Sequence, residues 1–297
     1  MNDRTERAAL ADGVLVVVTA IWGASFVVVQ DAVRLADPFT FLVFRFIVGA
    51  SVLTVPSWRA LADRRLLRAA AGLGVLLFVG FVTQTAGLQF TTPSRSGFLT
   101  GLSVLLVPFV GLLLFRKWPS PPVLVGVALA VAGLWFLTGG MSGSSGPTAK
   151  GDLLTIACAV AFAFYIVLLE PAARVHRSTP LVAVQLWVVA LLALAALPFV
   201  PRHLDPSPAF WSAVLYTGLL STAVCLLAQT WAQARTSAVR AALIFALEPV
   251  FAALWSVMIG RERLGSRELT GGTLIVLGIV AAEIGAALWA RRRAVLS

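Results

Sequence analysis

The chain has 297 residues, of which 59% are hydrophobic and 12% charged, and a formal net charge of +10. So little polar surface cannot cover a soluble globule of this size, which excludes a water-soluble enzyme or binding domain and implies an integral membrane protein. The positive charge is arginine beside apolar runs, not a basic stripe interleaved with exposed aromatics, so it points to lipid headgroups and away from nucleic acid.

Apolar runs long enough to cross a hydrocarbon core of about 30 Å fall at residues 12–30, 39–56, 67–88, 95–115, 121–140, 152–170, 180–200, 209–230, 236–259 and 268–290. The first follows a charged start, but it is longer than a signal-peptide core, carries Trp22 and Phe26, and has no small-x-small cleavage pattern. It reads as an uncleaved span. Asp37-Pro38, the proline-rich run from Pro119, the stretch from Pro201 to Pro208 and Gly265-Ser266 separate the spans with turn and cap chemistry. The fourth and ninth spans carry internal prolines, in Leu105-Leu106-Val107-Pro108-Phe109 and Leu247-Glu248-Pro249-Val250-Phe251. A proline there removes one backbone hydrogen bond and clashes with the carbonyl four residues back, which opens or kinks the helix.

The longest linker, Gly139 to Pro147, is rich in glycine and serine and divides the chain into five spans and five. It is no phosphate-binding loop, because Lys150 is followed by Gly151. The expected organisation is a first five-helix repeat at 1–140, a flexible linker at 141–151, a second five-helix repeat at 152–290 and a basic tail at 291–297. An offset of 141 places Pro108 on Pro249 and Ser96 on Ser237; further on, an offset of 145 places Gly126 and Gly133 on Gly271 and Gly278. Five crossings put the second half in the membrane with opposite orientation. The fold class is therefore an all-α membrane protein of ten transmembrane helices, arranged as two inverted five-helix repeats.

With the N-terminus inside, fifteen lysines and arginines fall in inner segments or the span ends beside them against seven in outer ones, and Arg45 is the only basic residue within a span away from its ends. The positive-inside rule then places both termini in the cytoplasm of a multi-pass inner or cell membrane protein. Cys158 and Cys225 both fall within spans, and His176 and His203 lie on opposite sides of the membrane. Neither a disulfide framework nor a metal site is expected, and no cofactor.

Candidate substrate-binding residues are the polar and amphipathic groups within spans: Trp22, Gln84, Tyr165, Gln229, Trp231 and Glu248. Pro108 and Pro249 are candidate gating positions, since interrupted helices at matching places in two repeats point to a transporter's binding site. Glu248 stands out, because an intramembrane acid costs about 2.5–3.5 kcal/mol on insertion scales and is retained for function or for a specific partner. Beside a broken helix it can attract an ammonium or carry a proton. Packing alone is the competing reading for Glu248, and interfacial anchoring for the tryptophans. Arg45 is open between pairing with an acid, facing a water-filled vestibule and snorkelling to an interface. Gly97-x3-Gly101, Gly278-x3-Ala282 and Ala281-x3-Gly285 allow close helix approach, read as packing within one chain, so a monomer is preferred to a dimer.

Thr236-Ser237-Ala238, Leu247-Glu248-Pro249-Val250-Phe251-Ala252-Ala253, Gly260-Arg261-Glu262-Arg263-Leu264 and the glycine-spaced run from Gly271 to Gly278 together resemble the EamA-type repeat of the drug/metabolite transporter superfamily. Trp22-Gly23-Ala24-Ser25-Phe26 resembles that family's first span. The resemblance implies a central cavity and a secondary transporter, not an enzyme, that exports a small metabolite such as an amino acid by alternating access. Where the family often has an acid after the fourth span, this chain has Lys117. A proton is the candidate coupling ion. A facilitated-diffusion or multidrug carrier of the same fold, and a non-transporting membrane scaffold, are the alternatives.

Overall fold

The computed structural model describes residues 3–91, 93–116, 118–138, 149–258 and 265–296. Among them the structure is helical, with no strand and a single antiparallel bridge between Ala36 and Leu204. The expected linker residues 141–148, as well as Lys117 and Glu262, lie outside the described residues.

The helices are α1 (Asp3–Leu35), α2 (Pro38–Thr54), α3 (Arg64–Gly87), α4 (Pro93–Gly101), α5 (Ser103–Phe115), α6 (Pro121–Thr138), α7 (Ala149–Val175), α8 (Ser178–Ala196), α9 (Pro208–Leu215), α10 (Cys225–Gln233), α11 (Ala238–Phe245), α12 (Glu248–Met258) and α13 (Ser266–Leu296). Among the described residues, six helical segments are long and apolar enough to cross a membrane: Ala8–Leu35, Pro38–Ala60, Arg64–Gly87, Ala149–Val175, Ser178–Phe199 and Pro208–Gln233. Shorter apolar helices cover Leu99–Phe115, Pro121–Phe136 and Leu269–Ala282. Large side chains such as Leu113, Leu153 and Leu191 are more than half exposed on this exterior, which suits lipid and not water. The chain is a multi-pass membrane protein.

Several elements depart from the simple spans expected. The second half begins its first helix at Ala149, inside the expected linker, and α13 continues through the basic tail to Leu296. The fourth and ninth spans are broken outright, but not at their prolines. Leu102 separates α4 from α5, six residues before Pro108, and Ala246-Leu247 separates α11 from α12, just before Pro249. Leu102 and Ala246 have the same backbone angles, φ −60° and ψ −16°, those of a tightened turn. Pro249 then sits in the first turn of α12, where its missing N–H leaves no bond unmade, whereas Pro108 lies buried inside α5.

The eighth span holds together, but Tyr216–Val224 between α9 and α10 is π-helical. Gly218 there lies against α2: a Cβ on it would stand 2.7 Å from the Arg45 carbonyl oxygen, and one on Gly49 would stand 2.9 Å from the Gly218 carbonyl oxygen. Backbones approach this closely only where both helices lack a side chain.

The same device joins α6 to α13. A Cβ at Gly126 would meet the Gly278 carbonyl oxygen at 2.5 Å, and one at Gly133 would meet that of Gly271 at 2.6 Å. Around these glycines Val127, Ala130, Leu134, Ile275 and Ala282 form a cluster apart from the main core. Of the small-residue pairs, Gly101 meets Leu134, Gly278 meets Gly126 and Gly285 meets Pro122, all within the chain, while Gly97 has open space.

Corners are tied by polar groups. Asp37 caps α2, accepting from Phe39 N at 3.1 Å and Thr40 N at 3.0 Å, and also accepts from His203 N at 3.3 Å. This anchors the proline-rich loop over the α1–α2 corner. At the opposite end of α1, Asp12 pairs with Arg240 on α11, and Glu170 on α7 accepts from Ala238 N at 2.8 Å while pairing with Arg174.

Candidate functional site

A cavity opens where α1, α2, α3, α7 and α10 converge on the two broken helices. It holds about 700 Å³ of atom-free space, counting its open mouth. Thr100 and Ser103 reach it from either side of the α4–α5 break, and Phe245 and Glu248 from either side of the α11–α12 break. Continuous helices supply the rest: Trp22, Ser25, Phe26 and Val29 from α1, Arg45 from α2, Leu77, Phe81 and Gln84 from α3, Phe162, Tyr165 and Ile166 from α7, and Leu226 and Gln229 from α10, with Leu88 at the end of α3. Among the described residues, none of α6, α8, α9 or α13 lines it.

The middle of α1 is shaped by its neighbours. Gly23 lies against α12, where a Cβ would stand 2.8 Å from Ala252 N and 2.9 Å from the Glu248 carbonyl oxygen. On one side of Gly23, the Trp22 indole donates to the Ser221 carbonyl at 2.8 Å and packs against Phe245 with ring centroids 5.4 Å apart. On the other, Ser25 donates back to the Trp22 carbonyl at 2.7 Å. Trp255 of α12 adds a bond to the Ala20 carbonyl at 3.2 Å. The close approach of α1 to α12 therefore puts the Glu248 backbone against Gly23, the residue after Trp22.

Six of the eighteen lining side chains are aromatic: Trp22, Phe26, Phe81, Phe162, Tyr165 and Phe245. The polar groups are largely engaged. Gln84 Nε2 donates to Thr100 Oγ1 at 3.3 Å, and the Tyr165 hydroxyl donates to Gln185 Oε1 at 3.0 Å. Gln229 Nε2 donates to Gln233 at 2.8 Å, leaving its own Oε1 buried without a partner.

Two charged groups complete the wall. Glu248, in the first turn of α12, has a position that the helix dipole favours for a carboxylate. No hydrogen bond or ion pair reaches its carboxylate among the described residues. Arg45 is 2% exposed; its Nε donates to Thr222 Oγ1 at 2.7 Å and its Nη2 to Ser221 Oγ at 3.5 Å. Its guanidinium lies 4.7 Å from the centroid of Phe81 and 5.5 Å from that of Phe46. Burial in the cavity wall, not snorkelling, is the outcome for this arginine. Among the described residues no three His, Cys, Asp or Glu side chains gather as a metal site.

Of the residues chosen from sequence, Trp22, Gln84, Tyr165, Gln229 and Glu248 share this cavity. Trp231 does not reach it. It packs on the main core near the end of α10, with the Arg235 guanidinium 4.1 Å from its ring centroid and Arg235 Nη1 donating to its carbonyl at 2.6 Å. Pro108 and Pro249 lie beyond the two breaks and off the wall. Arg45 was signalled by being the lone basic residue in a span. Thr100, Ser103 and Phe81 carried no signal, because ordinary apolar helices contain many such side chains facing other helices.

A helical membrane protein with a charged and aromatic cavity between broken helices is of the transporter class in architecture. The comparisons agree. The EamA-like transporter family is matched twice along the sequence, over residues 9–139 and 149–282, and the chain belongs to that family. An "Uncharacterized transporter" of Archaeoglobus fulgidus is 30% identical over 270 residues, covering 91% of this chain and 84% of that protein. "Uncharacterized transporter YcxC" of Bacillus subtilis is 25% identical over 282 residues, with 89% of each chain covered. A protein of known crystal structure has the same fold at a TM-score of 0.77 and 21% identity, covering 93% of this chain and 98% of that one. Family and relatives thus point to a transporter and not to an enzyme.

Proposed function

We propose that this protein is a secondary transporter that exports a small metabolite, such as an amino acid, by alternating access through the cavity between α1, α7 and the two broken helices. The observation that carries the reading is the meeting of both breaks at one aromatic and charged cavity. Residues 1–140 and 152–290 are the two five-helix repeats, ten spans in all, joined at 141–151 and followed by the basic segment 291–297. Both termini are cytoplasmic, in a cell membrane. Support for inversion comes from the glycines: Gly126 backs onto Gly278 and Gly133 onto Gly271, the crossed pairing that a two-fold axis gives residues related by a constant offset.

Trp22, Gln84, Tyr165, Gln229 and Glu248 contact the substrate. Pro108 and Pro249 set the bends on which opening and closing turn, and the protein works as a monomer. Glu248 couples export to an inward proton, because a carboxylate with no protein partner is free to exchange one. Purified protein in liposomes loaded with radiolabelled amino acids tests the reading: efflux that depends on the protein and responds to an imposed pH gradient is expected, with Glu248→Gln abolishing the pH response. Efflux indifferent to pH removes the proton and leaves a facilitated carrier. No efflux of any metabolite removes the transporter reading.

A further inference from the structure

Within the apolar spans most acids and bases are spoken for. Asp12 pairs with Arg240, Asp31 with Arg34 and Glu170 with Arg174. Arg45 and Glu248 have no ionic partner among the described residues, including each other, and both line the same cavity. A chain of contacts links them: Arg45 is tied to Ser221 and Thr222, the Trp22 indole bonds to the Ser221 carbonyl, and Trp22 packs against Phe245, one turn before Glu248. Trp22 thus touches a neighbour of each charged group, and all three line one cavity.

A guanidinium has five N–H donors and does not lose its charge in a protein. Here Nε and one Nη2 hydrogen are used, and the other three N–H groups have no partner among the described residues. Removing such a charge from water without a counter-charge is costly, and breaking a buried pair is costlier than never forming it. The π-helical turn explains how the head is held, because its widened backbone brings Ser221 and Thr222 to Arg45 while Gly218 lets α2 approach. Planar, forked donors of this kind match a carboxylate.

We propose that Arg45 is the anion-binding residue of the cavity, and that it acts with Glu248 to select a small zwitterion, whose carboxylate lies on Arg45 and whose ammonium lies on Glu248. A neutral ligand compensates neither pole, and a ligand with one charge compensates one. This rests on the transport reading of the cavity and assigns its specificity.

The test is binding to purified full-length protein, read as ligand-induced thermal stabilisation and fitted to dissociation constants. The probes are the natural amino acids and, for phenylalanine and leucine, the matched amines and acids: phenethylamine, isopentylamine, 3-phenylpropionate and 4-methylpentanoate. At least one amino acid should bind, and the one-charge analogues more weakly, by about 10- to 100-fold, the loss of one charged hydrogen-bonding contact. Arg45→Gln should weaken the bound amino acid by that factor and leave the amines unchanged. Thr222→Val, which frees the Arg45 Nε–H, should weaken the amino acid less. If Arg45→Gln does not fold, the wild-type ligand series decides alone. Amines or acids that bind as tightly as the amino acids overturn the proposal, as does the absence of any amino-acid binding. Binding without efflux in liposomes removes the transport reading and leaves this one standing; efflux of a compound that has no carboxylate does the reverse.

Discussion

Replacing Gly23 by alanine should damage both stability and ligand binding, and the structure says by how much. The added Cβ would lie 2.8 Å from Ala252 N, 2.9 Å from the Glu248 carbonyl oxygen and 2.9 Å from the Phe251 Cβ, where ordinary contact begins near 3.4 Å. Two of these three are backbone atoms of a helix and cannot swing aside. Relief needs α1 and α12 to separate by about half an ångström. Overpacking of this kind costs about 1–3 kcal/mol, and at about 2–4 °C per kcal/mol the melting temperature should fall by roughly 2–12 °C. The separation falls between Trp22 and Glu248, so affinity should drop with it. Gly13→Ala in the same helix is the control, because nothing lies within 4 Å of a Cβ there. Thermal unfolding in detergent and amino-acid binding are the two readings. A Gly23→Ala protein that melts and binds like wild type refutes the close approach, and a Gly13→Ala protein equally impaired refutes its local origin.

Alanine at Pro108 or Pro249 should leave insertion intact and change transport rates, because a proline in a helix interior such as Pro108 costs about 3 kcal/mol and alanine in place of Pro249 lets the chain before α12 adopt other bends; unchanged kinetics in both single mutants and the double mutant would dismiss the gating role. Ser144→Cys should react with a membrane-impermeant thiol reagent in intact cells and Ser297→Cys should not, the reverse pattern overturning the topology. Background labelling is low in this experiment, since Cys158 and Cys225 are buried.

The composition and the spacing of apolar runs were enough to establish a multi-pass helical membrane protein, because in lipid only a helix satisfies its own backbone at each crossing. Family membership was legible in the ordered set running from Trp22-Gly23 to Gly271-Gly278. Glu248 was legible too, as a rare acid in an apolar helix, and five of the six residues chosen for their polarity share one cavity.

What the sequence did not disclose is where helices break and what then faces what. The prolines located the interrupted spans, yet the breaks fall at Leu102, six residues before Pro108, and at Ala246-Leu247, just before Pro249, because the tightened turns are set by packing and not by the proline alone. The π-helical turn at Tyr216–Val224 had no marker in an apolar run, since its wider backbone is set by packing against α2. Trp231 and Tyr165 look alike as amphipathic residues within spans, but one packs under Arg235 and the other lines the cavity. Arg45 shows the division most plainly. Its charge within a span was visible in the sequence, whereas its burial beside Ser221 and Thr222, in the cavity that Glu248 also lines, depends on contacts between residues more than 170 positions apart, and such contacts exist only in the folded chain.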